Sequence, residues 1–564
     1  MEAQKASEPK ILSRPQKIFY GVGHIFNDLC ANCWFSYVLI YMTKVAGLSE
    51  SNAGLVLLIG QLADALFTLI IGYSCDKTKL TWYGKRKFWH GVGTICVLAS
   101  FPFVFNLCIS CNNASEMTKL IYYSGFVVIF QFGWAAVQIA HLALIPEIAL
   151  KASQRVELNA IRSGLTFATG IFVFALVWLL LGTTDGDEVN QSVSQQFMEL
   201  AFIVTGVGFL FSFIFHVGTN EEKMRAAKGK DIAESIHHDL VFWSSLSLTA
   251  PIVYSTGIES ADGIRGSISY EELTEPGETS YRSIETVDST PHHQDKGKNW
   301  KKWLKDGRLY KTGILYMFTR LSVNVFQSYF ALYLTDALHF NKEAIAYFPL
   351  IVRSAGSVTS FFLKFITKKI GSQLTYVLGS SMIIGGCVWL FTVPEEHRES
   401  VYGASWLVGS GLSTILVTSL SKTAELIGDD KKSGAFVYST MSFTDKLSTG
   451  IVIFIIQALK PEITEGKPCH DCELFSKIVQ TCIPGGCAVI SLLAVIFLFP
   501  SEFQCVRKVE RGQSSRRTRS QPKGESPSRV CEEESTTGNA DDVEDDQDAN
   551  RNTGLANNAF EKDD

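Results

Sequence analysis

Two segments of the chain align without a gap at an offset of 292 residues: GVGHIFNDLCANCWFSYVLIYMT at 21–43 and GILYMFTRLSVNVFQSYFALYLT at 313–335. Eight of the 23 aligned positions are identical. Each segment is mostly apolar and carries one charged residue, and these charges align: Asp28 in the first segment and Arg320 in the second. This internal repeat predicts a chain built from two related halves.

The composition predicts that both halves lie in a membrane. Hydrophobic residues make up 46% of the 564 residues and charged residues 19%, whereas about 25% charged residues is typical of soluble proteins. The net charge of −5 is carried by the tail, because residues 501–564 contain 15 acidic and 10 basic side chains. The near-neutral, Phe-rich body excludes a disordered, a collagen-like or a nucleic-acid-binding protein.

Twelve stretches are long and apolar enough for a membrane-spanning helix, which needs about 20 residues. Six precede a long polar interval and six follow it. The predicted fold is therefore an all-α integral membrane protein with twelve transmembrane helices in two six-helix repeats, an arrangement that places a substrate site between the halves. The predicted spans are 18–43, 52–74, 88–107, 119–148, 158–182, 198–217, 310–335, 343–366, 373–393, 401–427, 434–459 and 477–499.

Basic residues in short connections predict which side faces the cytosol. The N-terminus and the connection after the second span carry Lys and Arg, whereas residues 183–197 carry only acidic charges. We therefore expect both termini and the polar interval to be cytosolic, the interval and the tail being disordered. The predicted organisation is an N-terminus at 1–17, a bundle at 18–217, a loop at 218–309, a bundle at 310–499 and a tail at 500–564.

Charged side chains inside the spans predict the transport pathway, because a charge in hydrocarbon is costly unless it faces a cavity or a partner. The repeat would place Asp28 and Arg320 on opposite walls of one central cavity, although each could instead pair with another helix. His24 lies four residues before Asp28, on the same helix face. His24 is thus a candidate proton carrier, as is His141, which could equally be a packing residue.

Three further charges, Asp64, Arg162 and Lys446, interrupt apolar runs. An acid near a base can hold a zwitterion, bind a cation or lock a closed state, and the sequence leaves these roles open. Lys446 follows Asp445 directly, so these two could simply neutralise each other. Asp64 is a candidate for cation coupling, while Arg162 and Lys446 are candidates for the substrate pathway.

Several motifs fall in the predicted connections. A cluster after the second span, with Gly72, Asp76, Gly84 and Arg86, predicts a tight turn and a conformational latch, or plain anchoring by positive charge. Two tyrosine-x-x-apolar patterns in the central loop fit sorting signals that adaptor complexes read: Tyr270 with Leu273, and Tyr281 with Ile284. Two sequons and two CxxC pairs lie on the side away from the cytosol, where glycosylation and disulfides form: Asn113, Asn190, Cys108 with Cys111, and Cys469 with Cys472.

Several strings resemble the glycoside–pentoside–hexuronide:cation symporter branch of the major facilitator superfamily: YGVGHIFND at 20–28, GQLAD at 60–64, IPE at 145–147 and VELNAIR at 156–162. Others, such as SGAFVYSTMSFTDK at 433–446, are similar to members of that branch that transport cysteine in lysosomes and melanosomes. The resemblance covers most of 14–220 and 305–500. It implies the major facilitator fold and cysteine import into the organelle lumen.

The resemblance also implies site roles. It assigns the substrate cavity to Asp28 and Arg162, the cation site to Asp64 and a cavity cation to Lys446. Sodium-coupled members carry further acids where this chain has Thr68 and Gln138, so the sequence argues against sodium coupling and sugar specificity.

Other functions remain open at this stage. The same fold could serve a cation- or proton-coupled symporter of a sugar or another metabolite, acting at the plasma membrane. A membrane thiol oxidoreductase using the CxxC pairs, or a non-transporting scaffold, belongs to a different class. The chain shows no soluble catalytic constellation, phosphate loop or nucleic-acid patch. We therefore expect no enzyme activity, no cofactor, no metal and no nucleic-acid partner, but a small-molecule substrate and contact with membrane lipid.

Overall fold

The computed structural model describes residues 12–79, 83–109, 111, 114–149, 152–221, 256–259, 265–268, 300–427, 434–461 and 470–498. The regular secondary structure of these residues is helical apart from one antiparallel hairpin, in which β1 (Thr256–Glu259) pairs with β2 (Arg265–Ile268). The helices form one group before this hairpin and one after it in the sequence. The predicted helical fold class is confirmed.

The helices of the first half are α1 (Arg14–Val22), α2 (Ile25–Ile40), α3 (Glu50–Lys77), α4 (Lys85–Val104), α5 (Glu116–Ile148), α6 (Ala152–Leu181) and α7 (Ser194–Gly218). Those of the second half are α8 (Trp300–Lys305), α9 (Gly307–Leu332), α10 (Ala344–Ile370), α11 (Ser372–Thr392), α12 (Val401–Ile427), α13 (Gly434–Ala458) and α14 (His470–Leu498). Short 3₁₀ turns at Gln191–Val193 and Glu395–Ser400 precede α7 and α12.

Nine of the described helices are long and apolar enough to cross a membrane. The other long segments are α1 with α2, α9 and α13, and these are the segments that carry Asp28, Arg320 and Lys446. Polar side chains lower the mean hydropathy of these three segments. The first segment is also divided into two shorter helices, α1 and α2. The membrane class is confirmed, while the count of twelve spans stays a prediction.

The internal repeat is visible in the backbone. Helix α2 continues into a π-helical turn at Tyr41–Val45, and α9 continues into one at Tyr333–Ala337. These turns are related by the same 292-residue offset as the sequences that precede them. π-Helical turns are rare and occur mostly as single turns within α-helices, so their shared position supports a common architecture for the two halves.

The first predicted span differs from the structure, because it breaks between Val22 and Ile25 instead of forming one helix. Glycine lowers helix stability. Gly23 lies in the break, and Gly21 lies in the last turn of α1. A Cβ at Gly23 would lie 2.5 Å from the Phe215 ring and 3.0 Å from His141. Close packing of α5 and α7 against this point therefore requires glycine.

Within the part of the chain that the structure describes, the two halves meet mainly along three helix pairs: α3 with α13, α6 with α10, and α2 with α9. We call the face with Arg14 and Glu147 the terminus face, and the face with both π-helical turns the far face. Large apolar side chains are exposed on many helices, for example Ile95, Leu179 and Phe497 at 66%, 66% and 72%. Soluble monomers rarely expose so much apolar surface, which agrees with a lipid environment.

Candidate functional site: charged groups between the two halves

An ion pair joins the halves near the middle of α3 and α13. Lys446 Nζ lies 2.6 Å from Asp64 Oδ1 and donates to Thr68 Oγ1 at 2.8 Å. The Lys446 ammonium also lies 5.9 Å from the centre of the Trp134 ring. The side chains of Asp64 and Lys446 are only 3% and 12% exposed. The ammonium thus occupies the place beside Asp64 where a coupling cation was predicted.

Asp445 and Lys446 are neighbours in the sequence but have different partners. Its Oδ2 accepts from Arg320 Nε at 2.8 Å, and its Oδ1 accepts from Asn324 Nδ2 at 2.8 Å. Arg320 is therefore neutralised inside the second half. The repeat aligned Arg320 with Asp28 but could not reveal that Arg320 pairs with Asp445 on α13. That Arg320 and Asp28 face one cavity stays a prediction.

Asp28 lies in the first half, close to the interface. Its Oδ2 accepts from Thr166 Oγ1 at 2.7 Å, and its Oδ1 lies 3.5 Å from His24 Nε2. Arg162 on α6 and Arg353 on α10 both act electrostatically on this carboxylate. Asp28 therefore has one arginine from each half in its surroundings, and the one from the second half is Arg353 rather than Arg320.

These two arginines have few partners of their own among the described residues. Arg353 Nη2 donates to Asn32 Oδ1 at 3.1 Å, across the interface. The Nε atom of Arg162 is buried and has no hydrogen-bond partner in the described part of the chain. A guanidinium matches the geometry of a carboxylate, so the pair forms a candidate anion site beside the acid Asp28.

A cavity of about 630 Å³ lies between α6, α9, α10 and α12. A volume of this size suits a small-molecule ligand. Arg353 and Gln327 are among its polar lining residues, and Phe167 and Phe326 are among its apolar ones. The cavity draws on both halves, as a substrate path between two repeats requires.

Charged residues also join the halves at the far face. Lys44 Nζ lies 2.9 Å from Asp336 Oδ1, and these residues are equivalent in the repeat. Lys460 Nζ lies 2.7 Å from Glu50 Oε1 and 3.6 Å from Asp336 Oδ2. Lys342 Nζ donates to carbonyl oxygens of the connection between α6 and α7, including Asp185 O at 3.3 Å.

The ion pairs at the terminus face that involve the latch motif lie within the first half. Arg86 donates to Asp76 Oδ1 at 2.7 Å and to Glu147 Oε1 at 2.8 Å, which links α3, α4 and α5. Gly84 has φ +98° and a Cβ there would overlap the Glu221 side chain, so the predicted glycine turn is found. Gly72 differs, because it lies inside α3 and forms no turn.

His24 and His141 lie together in the first half. Their rings stack at 5.2 Å between centres, and His141 Nε2 lies 2.7 Å from Tyr20 O. Both residues are buried, at 5% and 0% exposure. The predicted proton carriers are therefore in contact with each other and, through His24, with Asp28.

Cys108 and Cys111 form a disulfide, and Cys472 is also disulfide-bonded. Asn190 is exposed in the connection that leads into α7. Asn113, Cys469 and the four sorting-signal residues lie outside the described residues: Tyr270, Leu273, Tyr281 and Ile284.

Two paired helical halves, exposed apolar helix surfaces and buried charges at the interface define a membrane transporter of the major facilitator class. The sequence profile of the family described as MFS/sugar transport protein matches residues 19–237 and 288–460, and the chain belongs to this family. Its homologues and fold are those of transporters rather than enzymes.

The comparisons with individual proteins agree. The chain is 38% identical to human major facilitator superfamily domain-containing protein 12, over 89% of this chain and 97% of that protein. It is 22% identical to an uncharacterized symporter of Synechocystis, over 78% of this chain and 84% of that one. The crystal structure of a D-xylose-proton symporter shares the fold, with TM-score 0.56, 11% identity, and 85% and 96% of the two chains covered.

Sequence reasoning missed several residues of this site. Asp445 was considered only as a neighbour of Lys446, and Arg353 was assigned no role. Two further histidines were not identified: His90, whose ring lies 6.3 Å from that of His141, and His216, which lies 3.0 Å from His90. A buried histidine within an apolar run is a weak signal alone, and only the packing of α4, α5 and α7 brings these rings together.

Proposed function

We propose that this transporter carries a small zwitterionic amino acid, cysteine, by alternating access. The observation that carries the proposal is the set of opposite charges around Asp28, with Arg162 and Arg353 on either side of the interface. An amino group suits the Asp28 carboxylate, and a substrate carboxylate suits a guanidinium. Cysteine itself is favoured by the string at 433–446, which resembles cysteine-transporting members of the branch.

The conformational cycle draws on the charges at the interface. In this structure Lys460 and Lys44 hold the far face together through Glu50 and Asp336. The pair of Asp64 with Lys446 holds α3 against α13 nearer the middle. Opening the far face must break the first set, so these ion pairs favour the state in which the far face is closed.

Protons rather than sodium fit the coupling role. Lys446 already neutralises Asp64 and also contacts Thr68, so a sodium ion would have to displace an ammonium at 2.6 Å. Asp28 and His24 lie 3.5 Å apart and can share a proton. We infer that Asp28, His24 and His141 couple a proton to substrate movement.

A second candidate is a proton-coupled symporter of a sugar or another small metabolite. The cavity favours it to a degree, because Gln327, Ser163 and Ser357 offer hydrogen bonds beside the Phe167 ring. The family description and the D-xylose-proton symporter point to the same substrate class. A sugar carries no charge, however, and would offer Arg162 and Arg353 no anionic group in addition to Asp28.

We further propose that the transporter acts in the membrane of lysosomes and melanosomes, with both termini in the cytosol and the plasma membrane as the alternative. The basic terminus face and the exposed sequon asparagine Asn190 on the far side support this orientation. Adaptor complexes would read the tyrosine signals of the central loop, and lipid would surround the helices.

Uptake by purified protein in liposomes tests the function. Labelled cysteine should accumulate, and excess unlabelled cysteine should compete while xylose should not. The variant Asp28→Asn should lose uptake, and Asp306→Asn, at the start of α9 on the terminus face, serves as the matched acid control. Competition by xylose but not by cysteine would favour the sugar symporter instead.

A further inference from the structure

A line of aromatic and imidazole groups begins at the terminus face. The Tyr83 hydroxyl lies 2.7 Å from His216 Nδ1, and His216 Nε2 lies 3.0 Å from His90 Nδ1. His90 Nε2 in turn lies 2.9 Å from the carbonyl oxygen of Gly23. Tyr83 and His216 are partly exposed, whereas His90 is fully buried. The line therefore connects the surface with the helix break between α1 and α2.

The hydrogen positions along this line follow from its inner end. A carbonyl oxygen only accepts, so His90 Nε2 donates to Gly23 and, in the neutral ring, Nδ1 accepts. His216 Nε2 must then donate to His90, and His216 Nδ1 accepts from the Tyr83 hydroxyl. Burial raises the pKa of Tyr83, which keeps that hydroxyl protonated. In each of the three hydrogen bonds the donor thus lies on the surface side and the acceptor on the inner side.

The line continues on the other side of the helix break. The His90 and His141 rings are 6.3 Å apart between centres, and the His141 and His24 rings stack at 5.2 Å. His141 Nε2 donates to Tyr20 O at 2.7 Å, and His24 Nε2 lies 3.5 Å from Asp28. The Nδ1 atoms of both His24 and His141 are buried and have no partner among the described residues.

Two buried nitrogens that accept no hydrogen bond lower the stability of the fold, because their lost hydration is not replaced. In the neutral tautomers set by their Nε2 contacts, both Nδ1 atoms of His24 and His141 are proton acceptors. These atoms are where an incoming proton can be received.

The charged and titratable groups around the line come from every element packed against it. Lys87 on α4 donates to His216 O at 2.9 Å and lies 4.6 Å from the Tyr83 ring centre. Arg162 on α6 acts electrostatically on His24 and His141. These cations oppose a lasting positive charge on the rings. The remaining groups are Tyr20 on α1, Asp28 on α2, Glu221 after α7 and Arg353 on α10.

We propose that Tyr83, His216, His90, His141 and His24 form a proton path from the terminus face to Asp28. A proton enters at the outer end, each ring accepts one proton on one nitrogen and releases one from the other, and Asp28 receives the last. One proton is gained from solvent and one is bound by the carboxylate, so no ring keeps a charge. The Nε2–H groups of His90 and His141 are held by the Gly23 and Tyr20 carbonyls, so each ring has to rotate away from its carbonyl to pass its proton to Nδ1 of the next ring. This path rests on the proposed proton coupling and extends it to His90 and His216.

A first test needs no substrate. In purified full-length protein, the infrared carboxyl band that Asp28→Asn removes reports proton arrival at Asp28 after a pH jump. We expect His90→Gln to slow that arrival about a hundredfold, the lower end of what a positioned proton carrier contributes. Tyr83→Phe, a milder change at the partly exposed end, should slow it less. His339→Gln, an exposed histidine at the far face, is the matched control and should match the wild type.

A second test uses labelled cysteine in liposomes. His90→Gln should lose uptake driven by a pH gradient and keep exchange of labelled for unlabelled cysteine at equal pH. If the wild type exchanges no cysteine, the proposed cargo fails while the infrared result still decides the path. Proton arrival at the wild-type rate in both His90→Gln and Tyr83→Phe, or no Asp28 band at all, would overturn the path.

Discussion

The ion pair between Asp64 and Lys446 gives the sharpest prediction, because it joins the halves through side chains that are nearly buried. Replacing Lys446 by Met keeps most of the length of the side chain and removes the charge. At 2.6 Å and an effective dielectric constant of about 20, the lost attraction is about 6 kcal/mol before desolvation is subtracted. The net loss is smaller, because the ammonium no longer has to be desolvated.

Two estimates limit the net loss. Removing one partner of a buried pair typically costs about 3 to 5 kcal/mol. The unpaired Asp64 can also take up a proton, which for an ordinary carboxyl at pH 7 costs about 4 kcal/mol and caps the penalty. We therefore expect Lys446→Met to destabilise the protein by about 3 to 4 kcal/mol.

Thermal unfolding in detergent measures this effect, and a double variant supplies the control. Asp64→Asn combined with Lys446→Met leaves no buried charge, so it should regain most of the lost stability. The coupling between the two sites should be about 2 kcal/mol or more. Unfolding of Lys446→Met at the wild-type midpoint, or a double variant no more stable than the single one, would refute the reasoning.

Three further predictions concern other parts of the interface. Arg162→Gln should raise the KM for cysteine about tenfold to a hundredfold through the loss of a charged hydrogen bond, whereas the same change at Arg398 on the far face should not, as uptake kinetics would reveal. Lys460→Met leaves Glu50 and Asp336 without their shared cation, so the far face should open more often. Ile345 is buried in this structure, so maleimide labelling of an added Ile345→Cys should be greater with Lys460→Met than with Lys460 intact. Equal labelling would argue against the role of Lys460 in closing the far face. Gly23→Ala should cost about 1 to 3 kcal/mol through overlap with Phe215; a variant as stable as the wild type in thermal unfolding would disprove that packing constraint.

The sequence predicted the helical membrane fold because two of its signals can be found without knowing which helices pack together. Apolar runs identify spans without any knowledge of packing, and the repeat at 21–43 and 313–335 relates the halves. The break at Gly23 was not predicted, because an apolar run with two glycines also fits a continuous helix. The close approach of Phe215 and His141 explains why position 23 requires glycine, and packing of this kind cannot be read from the sequence.

The site was predicted less completely than the fold. Asp28, Asp64 and Lys446 stand out in any apolar helix, because a charge there needs an explanation. Their partners do not stand out, since pairing depends on which helix faces which. The repeat suggested Arg320 as the counterpart of Asp28. In the structure Arg320 forms an ion pair with Asp445 on α13, and the arginine of the second half that acts on Asp28 is Arg353 on α10.

Cysteine transport through a site built on Asp28 is the central claim, and one measurement tests it most directly. Purified protein in liposomes should take up labelled cysteine under an imposed pH gradient, well above protein-free liposomes. Asp28→Asn should abolish that uptake while the protein remains folded and monodisperse. Uptake no greater than in protein-free liposomes, for either direction of the gradient, would contradict the claim, as would full uptake by Asp28→Asn.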